Sequence, residues 1–252
     1  MIANLPMYWR PQLRDAHARY WSSIRVGLTA AGIDSPEQLD EITDEVDAWH
    51  DPTLVLSQTC GMPYRLGLHK VVQLVGTPDF AVEGCPPGYY RSALVVRRND
   101  TRTNAADFEH GTFAYNQADS QSGFSAPYFH TKPLGFWFSN RTCSGGHLES
   151  AEAVAAGVAD IAAIDAVSMR LITRYSSSAR HLRILEWTAP TPGLPYITSA
   201  STRADDIYQA VSAAISNLSA QDRAALGIVG LVKIPSSEYL SIPNPPPDLD
   251  SR

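Results

Sequence analysis

The chain has 252 residues, of which 44% are hydrophobic and 18% charged, the composition of a globular protein large enough to bury a sizeable core. A net charge of −6 argues against a nucleic-acid surface, which needs a basic face to displace counterions. The same charge repels anions at long range, so any anion site must rely on local donors.

Residues 2–5 read as a short apolar strand. No basic segment followed by an apolar stretch precedes it, so no signal peptide is expected in the chain, and no run approaches the roughly 18 apolar residues of a membrane span. Pro11 opens a helix at its preferred first-turn position. Leu13, His17, Tyr20, Ile24 and Leu28 then recur at helical spacing, and Gly32 ends the pattern. Residues 35–50 are acidic and read as helix in pieces. A strand over 53–57 ends in Gln58-Thr59-Cys60-Gly61, and one over 71–75 is closed by Gly76-Thr77-Pro78. Residues 89–97 form one continuous β-rich run.

Strand–helix alternation restarts after that run. The strand over 112–115 breaks at Asn116 into a polar cluster, Asp119-Ser120-Gln121-Ser122-Gly123. Serine and aspartate at a helix start accept hydrogen bonds from the backbone, and other first-turn N–H groups stay free. Those donors, the hydroxyls and the positive end of the helix form a cradle for a small anion. Asp119 is expected to cap the helix or brace the loop, because a carboxylate beside a bound anion is repulsive. Farther on, Ser144-Gly145-Gly146-His147 puts small residues and a histidine before a helical pattern over 148–156. An imidazolium at that end of a helix needs a counter-ion, which a bound oxyanion supplies. Residues 160–165 read as a buried strand ending in Asp165, with a helix over 167–175. Three polar strand ends in one half of the chain suggest a ligand crevice at the carboxyl ends of a sheet.

Strands over 182–188 and 196–199 and helices over 204–218 and 220–226 complete the pattern. The predicted fold is α/β, two-lobed, each lobe a mostly parallel sheet flanked by helices. Two β-rich crossings join the lobes, giving lobe 1 as residues 1–90 plus 190–242, lobe 2 as 91–189, and a flexible, proline-rich tail over 243–252. Cys60, Cys85 and Cys143 lack metal-ligand spacing and read as buried thiols, with a Cys60–Cys85 disulfide as the alternative. No metal and no cofactor are expected. The G-x-S-x-G, H-E-x-x-H and phosphate-loop motifs are absent, so no catalytic residue is assigned.

Ser120-Gln121-Ser122-Gly123 and Ser144-Gly145-Gly146-His147, in this order, resemble the substrate-binding proteins of phosphate and phosphonate ABC transporters, the PhnD-like family with the type 2 periplasmic binding fold. The similarity extends from Leu5-Pro6-Met7-Tyr8 through Gly88-Tyr89-Tyr90-Arg91-Ser92 to Pro192-Gly193-Leu194-Pro195-Tyr196-Ile197. In that family a Ser-Thr-Ser-Gly turn holds the phosphonate oxygens; here Gln121 stands at the threonine position. The resemblance implies a solute-binding protein that captures a small anionic ligand in an interlobe cleft, serves an ABC permease and is monomeric. Ser120, Gln121, Ser122 and His147 would meet the oxyanion. Asp165 would cap a helix or hold an ammonium or hydroxyl of the ligand. Tyr8, Gln58, Thr59, Tyr90 and Asn116, at strand ends or crossings, are further candidates. Family membership points to the periplasm and the N-terminus to the cytoplasm. A small-molecule sensor and a biosynthetic enzyme on the same fold are the competing readings.

Overall fold

The computed structural model describes residues 1–199, 201 and 203–247. The chain divides into two units. Unit 1 is Met1–Tyr89 with Pro192–Ile242, and unit 2 is built on Tyr90–Thr191. In chain order, unit 1 contains β1 (Ile2–Ala3), α1 (Arg14–Ala30), α2 (Glu45–His50), β2 (Leu54–Gln58), α3 (Gly61–Leu66) and β3 (Val72–Asp79). The first crossing carries β4 (Tyr89–Tyr90). Unit 2 follows with β5 (Ser92–Arg97), β6 (Thr112–Tyr115), α4 (Ala126–Thr131), β7 (Asn140–Cys143), α5 (His147–Ala156), β8 (Ile161–Asp165), α6 (Ala166–Tyr175) and β9 (Leu182–Trp187). The chain returns through β10 (Thr191–Pro192) to β11 (Tyr196–Ser199), α7 (Ala204–Ser216), α8 (Ala220–Leu226), β12 (Gly230–Val232) and α9 (Ser236–Leu240).

In unit 1 a single turn of 3-10 helix at Pro11–Leu13 leads into α1, whose buried stripe is Ala16, His17, Tyr20, Trp21, Ile24 and Leu28. That spacing places one apolar face toward the core. α1 lies against α7 so closely that a Cβ on Gly27 would stand 2.7 Å from Ala210 Cβ, which is why glycine occupies this turn. The sheet order is β1-β2-β11-β3-β12, with β1 and β2 parallel and β11 antiparallel to both its neighbours. β3 runs on through Gly76 and Pro78, past the stop that those residues predicted. β11 pairs only as far as Gly76, so Pro78 has β12 alone beside it and its missing N–H breaks no central ladder.

His17 sits inside this helix-packed core with 7% of its surface exposed. Burial pushes its pKa from 6.5 down to about 4, against smaller upward pulls from the Tyr8 backbone and from Glu41. The folded protein therefore holds a neutral ring where the unfolded chain would take up a proton. This contribution to stability is fully present above pH 6.5 and is lost as pH falls toward about 4. The loss is about 3 kcal/mol, from 1.36 kcal/mol per unit of pKa. A His17→Leu variant should lose this share of the acid sensitivity in denaturant titrations run across that window. Parallel curves for the two proteins would refute it.

Unit 2 has the sheet order β7-β6-β8-β5-β9. β6 pairs in parallel with β7 and β8, and β5 pairs antiparallel with β8 and β9. The expected mostly parallel sheets are therefore mixed. In each unit a strand next to a crossing, β5 or β11, enters against the direction of both its neighbours. Both faces of the middle of the unit 2 sheet are covered, so its inner strands β6, β8 and β5 are near-continuous apolar runs, while the edge strands β7 and β9 carry polar residues. Ala93, Val95, Ala114, Ala162 and Ile164 face Ala151 and Val154 of α5 and Met169 and Ile172 of α6. Leu94, Val96, Phe113, Ile161 and Ala163 face Phe108, Phe124, Phe136 and Phe138.

Of the tail expected over 243–252, residues 243–247 are grouped with unit 2 and Pro245 is buried; residues 248–252 lie outside the described residues. The three cysteines are free thiols, so the alternative of a Cys60–Cys85 disulfide is not realised, but the expectation of buried thiols is not met either: Cys60 and Cys85 are half-buried and Cys143 is exposed. Among the described residues no helix is long and apolar enough to cross a membrane.

Candidate functional site

β6, β7 and β8 run side by side in one direction, so the polar turns that follow them emerge at one edge of the unit 2 sheet. After β6 the chain turns through Asn116 to Ser120, which is the N-cap: its Oγ accepts a hydrogen bond from Gly123 N at 3.0 Å. Asp119 is exposed and does not cap the helix. Gln121–Ser125 form a π turn leading into α4, with both Phe124 N and Ser125 N donating to Ser120 O. Such widened turns are rare and recur at functional sites. Gln121, Ser122 and Gly123 are all buried, and a Cβ on Gly123 would stand 1.8 Å from Asn116 Oδ1, so only glycine fits under that side chain as it stands.

The turn after β7 is laced to the first. Ser144 N donates to Tyr115 O at 2.8 Å and Gly145 N to Asn116 O at 3.0 Å. Gly145 takes φ +89, the left-handed region that glycine tolerates. Ser144 Oγ lies 2.7 Å from Ser150 Oγ, a buried serine one turn into α5. Sequence reasoning missed Ser150. Its signal was a serine inside the apolar stripe Ala151 and Val154 share with His147. α5 starts at His147 itself, with Gly146 as N-cap.

After β8, Asp165 caps α6, and its Oδ1 accepts from Val167 N and Ser168 N, each at 2.9 Å. The three turns converge through side chains. Ser120 Oγ and Ser122 Oγ are 3.5 Å apart, Ser122 Oγ is 2.9 Å from His147 Nε2, and Asp165 Oδ2 is 3.4 Å from the same nitrogen. Ser120, Gln121, Ser122, His147, Asp165 and Asn116 thus belong to one region of unit 2. Backbone donors and hydroxyls there can hold a small oxyanion without a metal, and among the described residues no His, Cys, Asp and Glu cluster could hold one.

A histidine that meets both a serine and an aspartate invites comparison with a hydrolytic triad. In a triad the aspartate holds one ring nitrogen so that the other can take the serine proton. Here Ser122 and Asp165 both address Nε2. That arrangement relays no proton from one side of the ring to the other.

The remaining candidates have other surroundings. Tyr90, at the first crossing, is buried. In unit 1, Tyr8 packs edge-on against Phe80 with ring centres 4.9 Å apart. Gln58 Nε2 donates to Leu194 O at 3.0 Å, and Thr59 N donates to Pro195 O. These contacts brace the strand end after β2.

Comparison with known proteins bears on this geometry. Residues 68–239 match the family described as the periplasmic substrate-binding protein of phosphonate ABC transporters. No protein of curated function matches the sequence. Among solved structures, PhnD1 from Prochlorococcus marinus in complex with methylphosphonate is similar at a TM-score of 0.71 and 14% identity, over 94% of each chain. XAC2383 from Xanthomonas citri bound to ATP is similar at 0.69 and 14% identity, over 95% of this chain and 94% of that one. A binding-protein component of an ABC phosphonate transporter from Pseudomonas aeruginosa, PA3383, is similar at 0.63 and 14% identity, over 92% and 80%. At these identities the structures establish the shared two-lobed fold. The family match covers well over half of the chain: this protein belongs to the periplasmic substrate-binding proteins of phosphonate ABC transporters.

Proposed function

We propose that unit 2 takes the oxyanion head of an alkylphosphonate or of phosphate into the cradle made by Ser120, Ser122, the first-turn amides and His147. One observation carries this reading: Ser122 Oγ lies 3.5 Å from Ser120 Oγ and 2.9 Å from His147 Nε2, which joins the turns after two adjacent parallel strands at a helix start. Gln121 and Asn116 shape the same region, and Tyr8, Gln58, Thr59 and Tyr90 are proposed to contact the rest of the ligand. The protein acts as a monomer, binds its ligand in the periplasm and delivers it to a permease. Binding, not turnover, is its work, since Ser122 and Asp165 share one ring nitrogen and leave no relay.

Calorimetric titration with methylphosphonate and with inorganic phosphate tests the reading. Saturable one-site binding of either ligand is expected, and phosphorus NMR should show each unchanged after long incubation. Lack of binding by both would refute the oxyanion assignment, and conversion of either would favour the enzyme reading.

A further inference from the structure

The Asp165 carboxylate is 4% exposed and both of its oxygens are engaged. Oδ1 is pinned by the Val167 and Ser168 amides, which fixes Oδ2 toward His147 Nε2 at 3.4 Å. We infer that Asp165 is a positioning residue: it keeps a proton on His147 Nε2, and that proton turns the Ser122 hydroxyl toward the ligand. The inference rests on the oxyanion site proposed above and deepens it.

An ionised carboxylate can only accept, so a ring lone pair facing Oδ2 is repelled and an N–H there is favoured. A histidine's tautomer follows from such partners. With Nε2 protonated, the 2.9 Å contact to Ser122 has the ring donating and Ser122 Oγ accepting. Ser122 then keeps its own O–H free for another acceptor. In the opposite tautomer Ser122 would donate to Nε2 and present only lone pairs to an anion. Ser120 is set by the same logic, because its Oγ accepts from Gly123 N and its O–H is left to donate. Two hydroxyls, each with its acceptor side occupied by a chain donor, give a site biased toward oxyanions. In this arrangement Asp165 serves the ligand through His147 and makes no contact with it.

Asp165→Asn is the discriminating substitution. Its side-chain oxygen still caps α6, while its NH2 group faces Nε2 and favours a lone pair there. Nitrogen NMR of the His147 ring in the ligand-free protein, at a pH where the ring is neutral, should show the proton moving from Nε2 to Nδ1. The Kd for methylphosphonate should rise by at least about tenfold, as expected for one hydrogen bond to a charged group. In a His147→Gln background, adding Asp165→Asn should change Kd by less than about twofold, because the two residues act in series. An unmoved ring proton would overturn the inference. So would losses that multiply in the double variant, since they would mark Asp165 as an independent ligand contact. If the wild-type protein binds neither methylphosphonate nor inorganic phosphate, the oxyanion reading falls, and the ring-proton signal of the ligand-free protein decides the role of Asp165 by itself.

Discussion

Replacing Ser120 and Ser122 together by alanine is expected to weaken methylphosphonate binding by at least about a hundredfold with the fold intact. Each hydroxyl would donate to a charged oxygen, an interaction worth roughly 1.5–3 kcal/mol, and every 1.4 kcal/mol is about tenfold in affinity. The Ser120 change also removes the N-cap acceptor of Gly123 N, a separate cost of about 1 kcal/mol in stability. Denaturant titration of the ligand-free variant measures that cost, and calorimetry measures the binding loss, so the two are separable. Ser144→Ala is the matched control. Its hydroxyl braces Tyr115 O and Ser150 Oγ, so stability should fall with little direct effect on ligand affinity. Unchanged affinity in the double variant would sink the cradle.

The second large effect concerns the packing that holds the cradle in place. Phe113 in β6 is fully buried, stacked on Phe138 at 4.7 Å and edge-on to Trp137 at 5.3 Å. Phe113→Ala would remove the centre of this aromatic layer and leave a cavity that the flanking rings fill only in part. A loss of about 3–5 kcal/mol is expected. The denaturation midpoint should drop sharply with an unchanged slope, which reports stability and not a change in compactness. A loss below about 1 kcal/mol would mean that the layer rearranges freely, contrary to the close packing of such cores.

The polar turns were legible in the sequence as clusters of Ser, Gly, His or Asp, two of them breaking the short apolar runs of β6 and β8. Their convergence was not legible. It depends on the order β7-β6-β8, and β7 is a four-residue strand, Asn-Arg-Thr-Cys, with no apolar alternation to announce it. That strand places the His147 turn beside the Ser120 turn, so the site rests on an element that periodicity could not find. The π turn escaped for a related reason: Ser120 O accepts from both the fourth and the fifth residue onward, a pattern that no local propensity announces. Of the two readings of Asp165, the helix cap is realised, while its approach to His147 arises from the parallel pairing of β6 with β8 and could not be read locally. In unit 1, Gly76 and Pro78 were strong local stop signals, and the ladder with β12 overrode them where β11 no longer pairs.

A crystal structure of the protein grown with methylphosphonate tests the central claim most directly. The account predicts the phosphonate oxygens within hydrogen-bonding distance of Ser120 Oγ, Ser122 Oγ and His147, with Asp165 still against the ring and out of contact with the ligand. A phosphonate bound elsewhere on the chain, with the Ser120–His147 region empty, would contradict it.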